Sequence, residues 1–593
     1  MKRFSFKLIN KSLLLATLLL TFSCKNMLDV EPEGQVDITN HYRNVYDANA
    51  AVIGIYGQLL GIADRYIVLN ELRADLMSPT VNADQYLREI NEHKVSANNP
   101  WADPKPFYKI ILNCNDAIKN FDIMVKSAKM RQDEYNQRIA DVKAVRAWLY
   151  LQLGIHFGSV PYVTDPLETI EALKDDSKFP RISFNEVLDK SIADIKDGFL
   201  EVYTTTTATT GSSSTSLNTT VDGYPTNLFF INKRTLLGDL YMWRGMYTEA
   251  AEQYKYIAET GGRNYTFGDN QWYWQYKVAF GDITNGNGLA IYYTRGREQD
   301  VQAFDDNNVQ GWRSIFGSAT VSTAISGEWI WSLPFDRNFQ PVNPFIDMFS
   351  NQGGRYLLTA SKLAMDNWNG QTQTNGNPYD QRGRITVRTI NGQPVIMKQL
   401  YNYLTEGTLV PVNVLQKQGR WLLYRTAVMQ SHLAECANRD GFSKLAYALI
   451  NVGIKTVYDP SPGTSGRDVT NIMQSTEGYP YNFDAREGEI PYYRAQWIRE
   501  VGSRSRALLT ALPTSLQSDQ IGMENAIIDE NGLEQAYEGH RWGDLLRVAL
   551  RRNDPSFVAS KVYEKLFRDG NAQAGAARSK LMTTSGLYLP FKL

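Results

Sequence analysis

The spacing of small and large residues between positions 233 and 259 constrains the fold of this chain more than any other feature. The stretch reads "KRTLLGDLYMWRGMYTEAAEQYKYIAE" and follows a helical period. Small residues at Gly238 and Ala250 let two antiparallel helices approach closely, and the groove between them is filled by Leu237, Tyr241 and Tyr254. One such helix pair cannot bury its own apolar face, so further pairs must stack against it.

This spacing has the register of a tetratricopeptide repeat, although Arg234 stands where the repeat expects Trp and Gly262 where it expects Pro. A second pair is predicted in "SHLAECANRDGFSKLAYALINVG", which has the same phase at Leu433, Ala434, Gly441 and Ala446. A third pair joins the helix of Trp148 to the helix "FNEVLDKSIADIKDGF" that follows it. We therefore predict a mainly α fold with a tetratricopeptide-like helical scaffold.

The N-terminal stretch "SLLLATLLLTFSCKNMLDVEPEGQ" predicts a secretory signal. Its apolar run from Leu13 to Phe22 is about ten residues, roughly half of what a membrane-spanning helix needs. A basic start precedes the run, as in a signal peptide, and Ser23-Cys24 resembles a bacterial lipobox. Cys24 is therefore expected to be acylated and to become the mature N-terminus. The alternative is an ordinary signal with an incidental cysteine.

The scaffold pattern stops between residues 262 and 418, which are rich in Gly, Asn, Gln and aromatic residues. Short runs such as "RITVRTI" indicate small strands, so we expect a loop-rich, minor-β elaboration of the helical scaffold. The predicted organisation is a signal peptide (1–23), a lipidated tether (24–40), a first scaffold part (41–261), the loop-rich region (262–418) and a C-terminal scaffold part (419–593).

Charge and cysteine content exclude some classes of protein. The chain has 62 basic and 63 acidic residues and no basic stripe, which argues against nucleic acid as a partner. Three cysteines are too few for a disulfide scaffold, and Cys114 and Cys436 are expected to be buried free thiols. Aromatic residues make up 12% of the chain, which suits a protein that presents stacking faces to ligands, although a large core also uses many rings.

Five motifs, in order along nearly the whole chain, resemble the SusD/RagB family of outer-membrane nutrient-binding lipoproteins. They are the "CKNMLDVEPEGQ" start, "VRAWLYLQLGIHFGSVPYVTD", the repeat unit around Gly238, "LEQAYEGHRWGDLLR" and the closing "GLYLPF". The second is similar to the helix and "GDVPLV" turn of the family, with Ser159 in place of an acidic residue. The fourth is similar to a near-C-terminal family helix of the form E-x-x-x-E-G-x-R-W-x-D-L-x-R.

The resemblance implies a non-enzymatic protein, lipid-anchored to the outer membrane and facing the cell exterior. Members of the family act as the lid of a SusC-like TonB-dependent outer-membrane channel and deliver oligosaccharide, or peptide in one branch, to it. Their helical half lies against the channel and their loop-built half faces the ligand. Oligopeptide is therefore the first alternative ligand, and a surface glycosidase or a tetratricopeptide adaptor is the second alternative function.

A pyranose ring has one apolar face and a fringe of hydroxyls, so a sugar site combines aromatic platforms with planar polar groups. The candidate platforms are Trp101, Trp272, Trp274, Trp312, Trp329 and Trp368. Trp101 is favoured by its place in the family pattern, and Trp368 by its Asn- and Gly-rich surroundings. Asn70, Arg73 and Asp75 occupy a position similar to one that contacts ligand in some family members.

The sequence offers little support for a catalytic site or a metal site. Glu534, Glu538, His540, Arg541 and Asp544 are close in sequence, but we expect an ion-paired helix face in which the like-charged Glu534 and Glu538 need cations from elsewhere. None of the five histidines has a metal-ligand spacing, and no cofactor motif is present. "AFDDNNV" brings Asp305 and Asp306 together without the alternation of a calcium loop, so it is interpreted as a solvated loop.

Overall fold

The structure is a computed structural model that describes most of the chain from residue 42 onward. The described residues are 42–196 except 168 and 176, 217, 219–221, 223–226, 229–260, 312–317, 328–336, 340–458 except 406 and 407, 477–483, 497 and 502–593. Cys24, which is the predicted lipidation residue, lies outside them, as do Trp272, Trp274, the Asp305–Asp306 pair and most of the Thr/Ser-rich stretch 204–220. The described part is mainly helical with small sheets, which confirms the predicted fold class.

The first scaffold part contains eight α-helices among its described residues. They are α1 (Val45–Leu59), α2 (Ala63–Ile67), α3 (Gln85–Asn91), α4 (Lys105–Lys126), α5 (Gln132–Phe157), α6 (Phe184–Ile195), α7 (Lys233–Arg244) and α8 (Tyr247–Thr260). Short helical turns lie at Leu60–Ile62, Pro100–Ala102 and Ile170–Lys174, and a π-helical turn at Val68–Leu72. The short strands are β1 (Met77–Pro79), β2 (Val160–Pro161), β3 (Arg181–Ile182), β4 (Thr220–Val221) and β5 (Tyr224–Pro225).

The second half alternates short helices and strands before it returns to helices. Its first elements are α9 (Ser314–Gly317), β6 (Trp329–Phe335), α10 (Pro344–Phe349), β7 (Leu358–Ala360), α11 (Lys362–Asn369), α12 (Gln381–Thr386), β8 (Val387–Ile390), β9 (Gln393–Ile396) and β10 (Gly419–Arg425). The remaining helices are α13 (Thr426–Arg439), α14 (Ser443–Ile450), α15 (Ile454–Tyr458), α16 (Ser503–Arg506), α17 (Gln520–Glu534), α18 (Arg541–Arg552), α19 (Ser556–Arg568) and α20 (Ala574–Leu581). Short 3₁₀ turns lie at Thr514–Gln517 and Thr584–Leu587.

The three predicted helix pairs are present as α5–α6, α7–α8 and α13–α14, and α8 also packs on α13. In the α7–α8 pair the Asn232 side chain caps α7 by accepting the N–H groups of Arg234 and Thr235. A Cβ at Gly238 would lie 2.6 Å from the Tyr254 ring, so only glycine lets the two helices approach this closely. The predicted reason for the spacing is therefore confirmed.

The sheets among the described residues are five antiparallel strand pairs. The pair β6–β10 is the longest, with Gly419 opposite Phe335 and Arg425 opposite Trp329. It joins the loop-rich region to the first strand of the C-terminal part. The predicted strand in "RITVRTI" is present as β8, which pairs with β9.

The run Val45–Leu72 is apolar enough, at 28 residues, to cross a membrane by length and composition. Its most apolar window is 56% buried within the protein, and a core helix passes the same test. Cys114 and Cys436 are buried and unpaired, as predicted. Burial raises the pKa of the Cys114 thiol to about 12, which keeps this thiol protonated and unreactive.

Candidate functional site

The turn that carries Trp101 is held in place by hydrogen bonds from both sides. The Asn99 side chain accepts the N–H of Trp101 at 3.0 Å and donates to the carbonyl of Tyr86 at 2.9 Å. From α2, the guanidinium of Arg65 donates to the carbonyls of Pro100 and Trp101. The Trp101 ring packs against the core and is partly exposed, so it remains a candidate platform with a fixed backbone.

Asn70, Arg73 and Asp75 are brought together by the π-helical turn and the residues after it, but they point inward. Their exposed fractions are 2%, 1% and 1%. Asn70 donates to the carbonyl of Tyr66 and to Gln152, at 3.1 and 3.3 Å. These side chains therefore have partners within the protein instead of the ligand-facing position that the resemblance implied.

Arg73 and Asp75 tie the π-helical turn to the C-terminal residues. Arg73 donates to the carbonyl of Leu587 at 2.8 Å, and its guanidinium lies 3.9 Å from the centre of the Trp542 ring. Asp75 accepts two hydrogen bonds from Arg541, at 2.6 and 2.7 Å. Both contacts cross more than 450 residues of sequence, so they close the N-terminal segment onto the C-terminal one.

The three described tryptophans on the candidate list from the loop-rich region belong to the core. Trp312, Trp329 and Trp368 are each 2% exposed. Their indole N–H groups donate to the Glu534 carboxylate and to the carbonyls of Ile315 and Leu533. The expectation that these rings stack on a ligand is corrected, because both the rings and their N–H groups are enclosed by protein.

The "LEQAYEGHRWGDLLR" motif forms two helices with a turn between them, instead of the single helix that the resemblance implied. α17 ends at Glu534 and α18 begins at Arg541. In the turn, Tyr537 has φ of 68° and Gly539 has φ of 94°, which no α-helix accommodates. A Cβ at residue 539 would collide with the Tyr66 ring, so the turn depends on glycine at that position.

The turn is stabilised by the buried carboxylate of Glu71, which lies more than 460 residues earlier in the sequence. It accepts the backbone N–H groups of Tyr537, Gly539 and His540 at 3.1, 2.7 and 3.1 Å. Burial raises the pKa of Glu71 to about 7, although the three N–H groups oppose the shift.

A buried ionic network surrounds the two glutamates of the motif. Glu534 forms ion pairs with Arg382 and Arg425, both at 2.8 Å, and with Arg506. Glu538 forms ion pairs with Arg425 at 2.7 Å and with Lys398 at 2.6 Å. Burial alone would raise the pKa of Glu534, but the three guanidinium groups outweigh it and hold the pKa well below its usual range. The predicted need for cations from elsewhere is confirmed.

On one continuous helix, Glu538 could pair with Arg541 and His540 with Asp544, but the structure forms neither pair. Arg541 pairs with Asp75 instead of Glu538, and Asp544 pairs with Arg547 at 2.8 Å instead of with His540. Burial lowers the pKa of His540 to about 4, so this imidazole is neutral at pH 7 and cannot supply an ion pair. Glu534 and Glu538 are 1% and 2% exposed and are ionised. Their buried ion pairs, together with the hydrogen bonds of Glu71, hold the turn between α17 and α18 against the rest of the protein, and we call this set of contacts the clamp.

The comparisons with known proteins agree with this geometry. The sequence model of the SusD family matches residues 485–586, the segment that contains α17, the turn and α18. SusD-like proteins P25 and P38 of Formosa agariphila are 24% and 25% identical over 161 and 190 residues. These matches cover 25% and 31% of this chain and only 29% and 35% of the relatives.

The fold comparison extends the likeness to most of the chain. A SusD superfamily protein from Bacteroides vulgatus aligns over 92% of this chain and 96% of its own, with a TM-score of 0.56 at 14% identity. A laminarin binding SusD-like protein aligns over 92% and 98%, with a TM-score of 0.51 at 15% identity. The resemblance to the SusD family is confirmed. The segment that matches the SusD family model therefore contains Glu534, Glu538 and the turn between α17 and α18.

Sequence reasoning missed several members of the clamp. Glu71, Arg382 and Arg425 each bind a group of the motif, Gly539 or Glu534, that lies more than 100 residues away in the sequence. The one sequence signal for these residues was the like-charged pair Glu534–Glu538. It indicated that cationic side chains must lie nearby but did not identify them. Among the described residues, no group of three or more His, Cys, Asp and Glu side chains has the geometry to hold a metal ion.

Proposed function

We propose that this SusD-like chain is a lipid-anchored protein of the outer membrane that binds oligosaccharide outside the cell. It delivers the sugar to a partner TonB-dependent channel and acts as the lid of that channel. The observation that carries the proposal is the fold, which aligns over 92% of the chain with a laminarin binding SusD-like protein. A SusD-like carbohydrate binding protein from Bacteroides fragilis, with a TM-score of 0.51 at 13% identity, supports the same ligand class.

Trp101 is the residue that we assign to sugar contact. Its ring is partly exposed and its backbone is fixed by Asn99 and Arg65, so a stacked sugar would meet a surface that needs no reordering. The apolar face of a pyranose matches the face of an indole ring. Trp272 and Trp274 remain predicted platforms in the same role.

Titration calorimetry of the purified protein against laminarin, starch, xylan and a mixture of oligopeptides tests the ligand class. We expect binding of at least one polysaccharide and a loss of about tenfold or more in Trp101→Ala, because one stacked aromatic contributes about 1 kcal/mol beyond its buried area. Tyr46→Ala, which removes a ring that is 53% exposed on α1, is the matched control and should bind like the wild type. A response to peptides alone would contradict the proposal.

The anchor is tested in cells by fractionation. Cys24→Ala removes the thiol that would carry the lipid, so we expect the protein to leave the outer membrane fraction. Recovery of this variant in the outer membrane of a strain without the channel would exclude the lipid anchor. Deletion of the protein should abolish channel-dependent uptake of the bound sugar if the lid role holds.

A further inference from the structure

The C-terminal helix hairpin presents a stacked pair of rings to solvent. On α19, the rings of Tyr563 and Phe567 lie 5.7 Å apart with an interplanar angle of 19°. The guanidinium of Arg578, on the antiparallel helix α20, lies 5.3 Å from the centre of the Tyr563 ring. Phe567 is nevertheless 65% exposed. The hairpin therefore holds an aromatic face in a fixed orientation and leaves it open.

An open cavity of about 340 Å³ lies beside the last turn of α19. Its wall is formed by α19, α11, β7 and β9, and the lining residues are Ala360, Lys362, Met365, Asp366, Pro394 and Arg568. Three of these residues are apolar and three are charged. The volume falls in the range of about 300–1,000 Å³ that small-ligand sites occupy.

Phe567 and Arg568 are consecutive on α19, so the exposed ring and the guanidinium that lines the cavity lie on adjacent sides of the same helical turn. Arg568 donates to Asp366 and Glu564, both at 2.6 Å, and all three side chains remain substantially exposed, at 40%, 54% and 48%. These planar groups are held in position by one another, yet they keep donors and acceptors free for a ligand.

This combination fits a sugar better than a purely apolar or purely ionic ligand. A pyranose has an apolar face for Ala360, Met365 and Pro394, and hydroxyl groups for Lys362, Asp366 and Arg568. A neighbouring sugar unit of the same chain would lie next to Phe567, whose ring offers a stacking face.

We propose that this cavity and Phe567 form an accessory oligosaccharide site, separate from the Trp101 surface. The proposal rests on the proposed function, since it assumes a glycan ligand. Helix α3 connects the two surfaces: its Tyr86 carbonyl binds the Trp101 turn, and Glu92 at its end accepts from Asn571 of the α19–α20 connection at 3.0 Å. Six helical residues span about 9 Å, so α3 holds the Trp101 turn and the α19–α20 connection close together, and the proposal takes one long polysaccharide chain to contact both surfaces.

Two linked sites raise the affinity for a long chain far more than for a short one, because the second contact is intramolecular. The accessory site therefore selects for polysaccharide over short products of its degradation.

Calorimetry with laminarin, starch and xylan, and with laminaritriose, maltotriose and xylotriose, tests the accessory site in the full protein. For the polysaccharide that the wild type binds, Phe567→Ala and Lys362→Ala should each weaken binding by about tenfold, with little change for the matching trisaccharide. Ile521→Ala is the control, because it removes a side chain of similar exposure, 50%, on α17. Thermal unfolding should be unchanged in all three variants.

The outcomes separate the two proposals. If Trp101→Ala abolishes polysaccharide binding while Phe567→Ala and Lys362→Ala bind like the wild type, the accessory site is excluded and the proposed function stands. If the wild type binds none of the six sugars, both proposals fail.

Discussion

At the scale of single residues, Glu71 is the carboxylate on which the family motif depends. Its three N–H donors satisfy the turn at 535–540, where helical hydrogen bonding stops. The carboxylates of the motif itself, Glu534, Glu538 and Asp544, each pair with a cation, whereas Glu71 accepts from the backbone N–H groups of the turn. Its charge is therefore the least compensated of these four in the buried interface.

This leads to a prediction about pH. The pKa of Glu71 is about 7 in the folded protein and near its usual value of 4.5 in the unfolded chain. The folded state therefore binds the proton more tightly, and the contribution of Glu71 to stability is full below pH 4.5 and is lost as pH rises to about 7. At about 1.4 kcal/mol for each unit of pKa, the loss is about 3 kcal/mol.

Urea unfolding of the wild type and of Glu71→Gln between pH 4.5 and 8 measures this loss. The variant should be less stable at low pH, because the amide places N–H donors against those of the turn. The difference in free energy of unfolding, wild type minus variant, should fall by about 3 kcal/mol across the range, since all other titrations cancel. A difference that is independent of pH would show that Glu71 does not titrate there.

At the scale of elements, the helix pairs could be predicted because their cause is local. Gly238, Ala250 and Tyr254 lie within 17 positions of one another, so their spacing alone shows that two helices touch. The break between α17 and α18 could not be predicted in the same way. Its causes, Glu71 and Tyr66, lie more than 460 residues from the turn and are invisible in the motif itself.

The α7–α8 contact gives a second prediction. Gly238→Ala places a Cβ 2.6 Å from the Tyr254 ring, so the pair must separate, and we expect a loss of about 1–3 kcal/mol in the free energy of unfolding. Gly57→Ala on α1 is the matched control, because a Cβ there meets nothing within 4 Å. That change should stabilise the helix by about 0.5–1 kcal/mol. Equal effects of the two variants in urea unfolding would refute close packing at Gly238.

At the scale of the whole molecule, the ionic network fastens the C-terminal segment to the rest of the chain. Arg425, at the end of β10, contacts Glu328 before β6, Glu534 at the end of α17 and Glu538 in the turn. Because β6 pairs with β10, these contacts join the loop-rich region to the SusD family motif. The network lies at the meeting point of segments that are far apart in sequence.

The candidate site was less predictable than the fold, because the burial of its residues depends on contacts with segments that are far away in the sequence. Residue type indicated that Trp312, Trp329 and Trp368 suit a sugar, but burial depends on what the rest of the chain places over each ring. Family position made candidates of Asn70, Arg73 and Asp75. The partners that bury them, such as Arg541 and Leu587, come from the other end of the chain and could not be identified from the sequence. Among the candidate tryptophans that the structure describes, only Trp101, held by a local turn, has a partly exposed ring.

The network predicts that Arg425 is among the least replaceable residues of the protein. Arg425→Met fills a similar volume but leaves three buried carboxylates without their shared cation, so we expect a loss of about 3–5 kcal/mol in the free energy of unfolding. Arg425→Lys supplies one point charge in place of a planar fork, so it should restore only part of the loss. Arg43→Met, which breaks the exposed pair with Asp47, is the control and should unfold like the wild type in urea. If Arg425→Met were as stable as this control, the carboxylates would have to be neutral in the folded protein, and the clamp would be held by packing instead of charge.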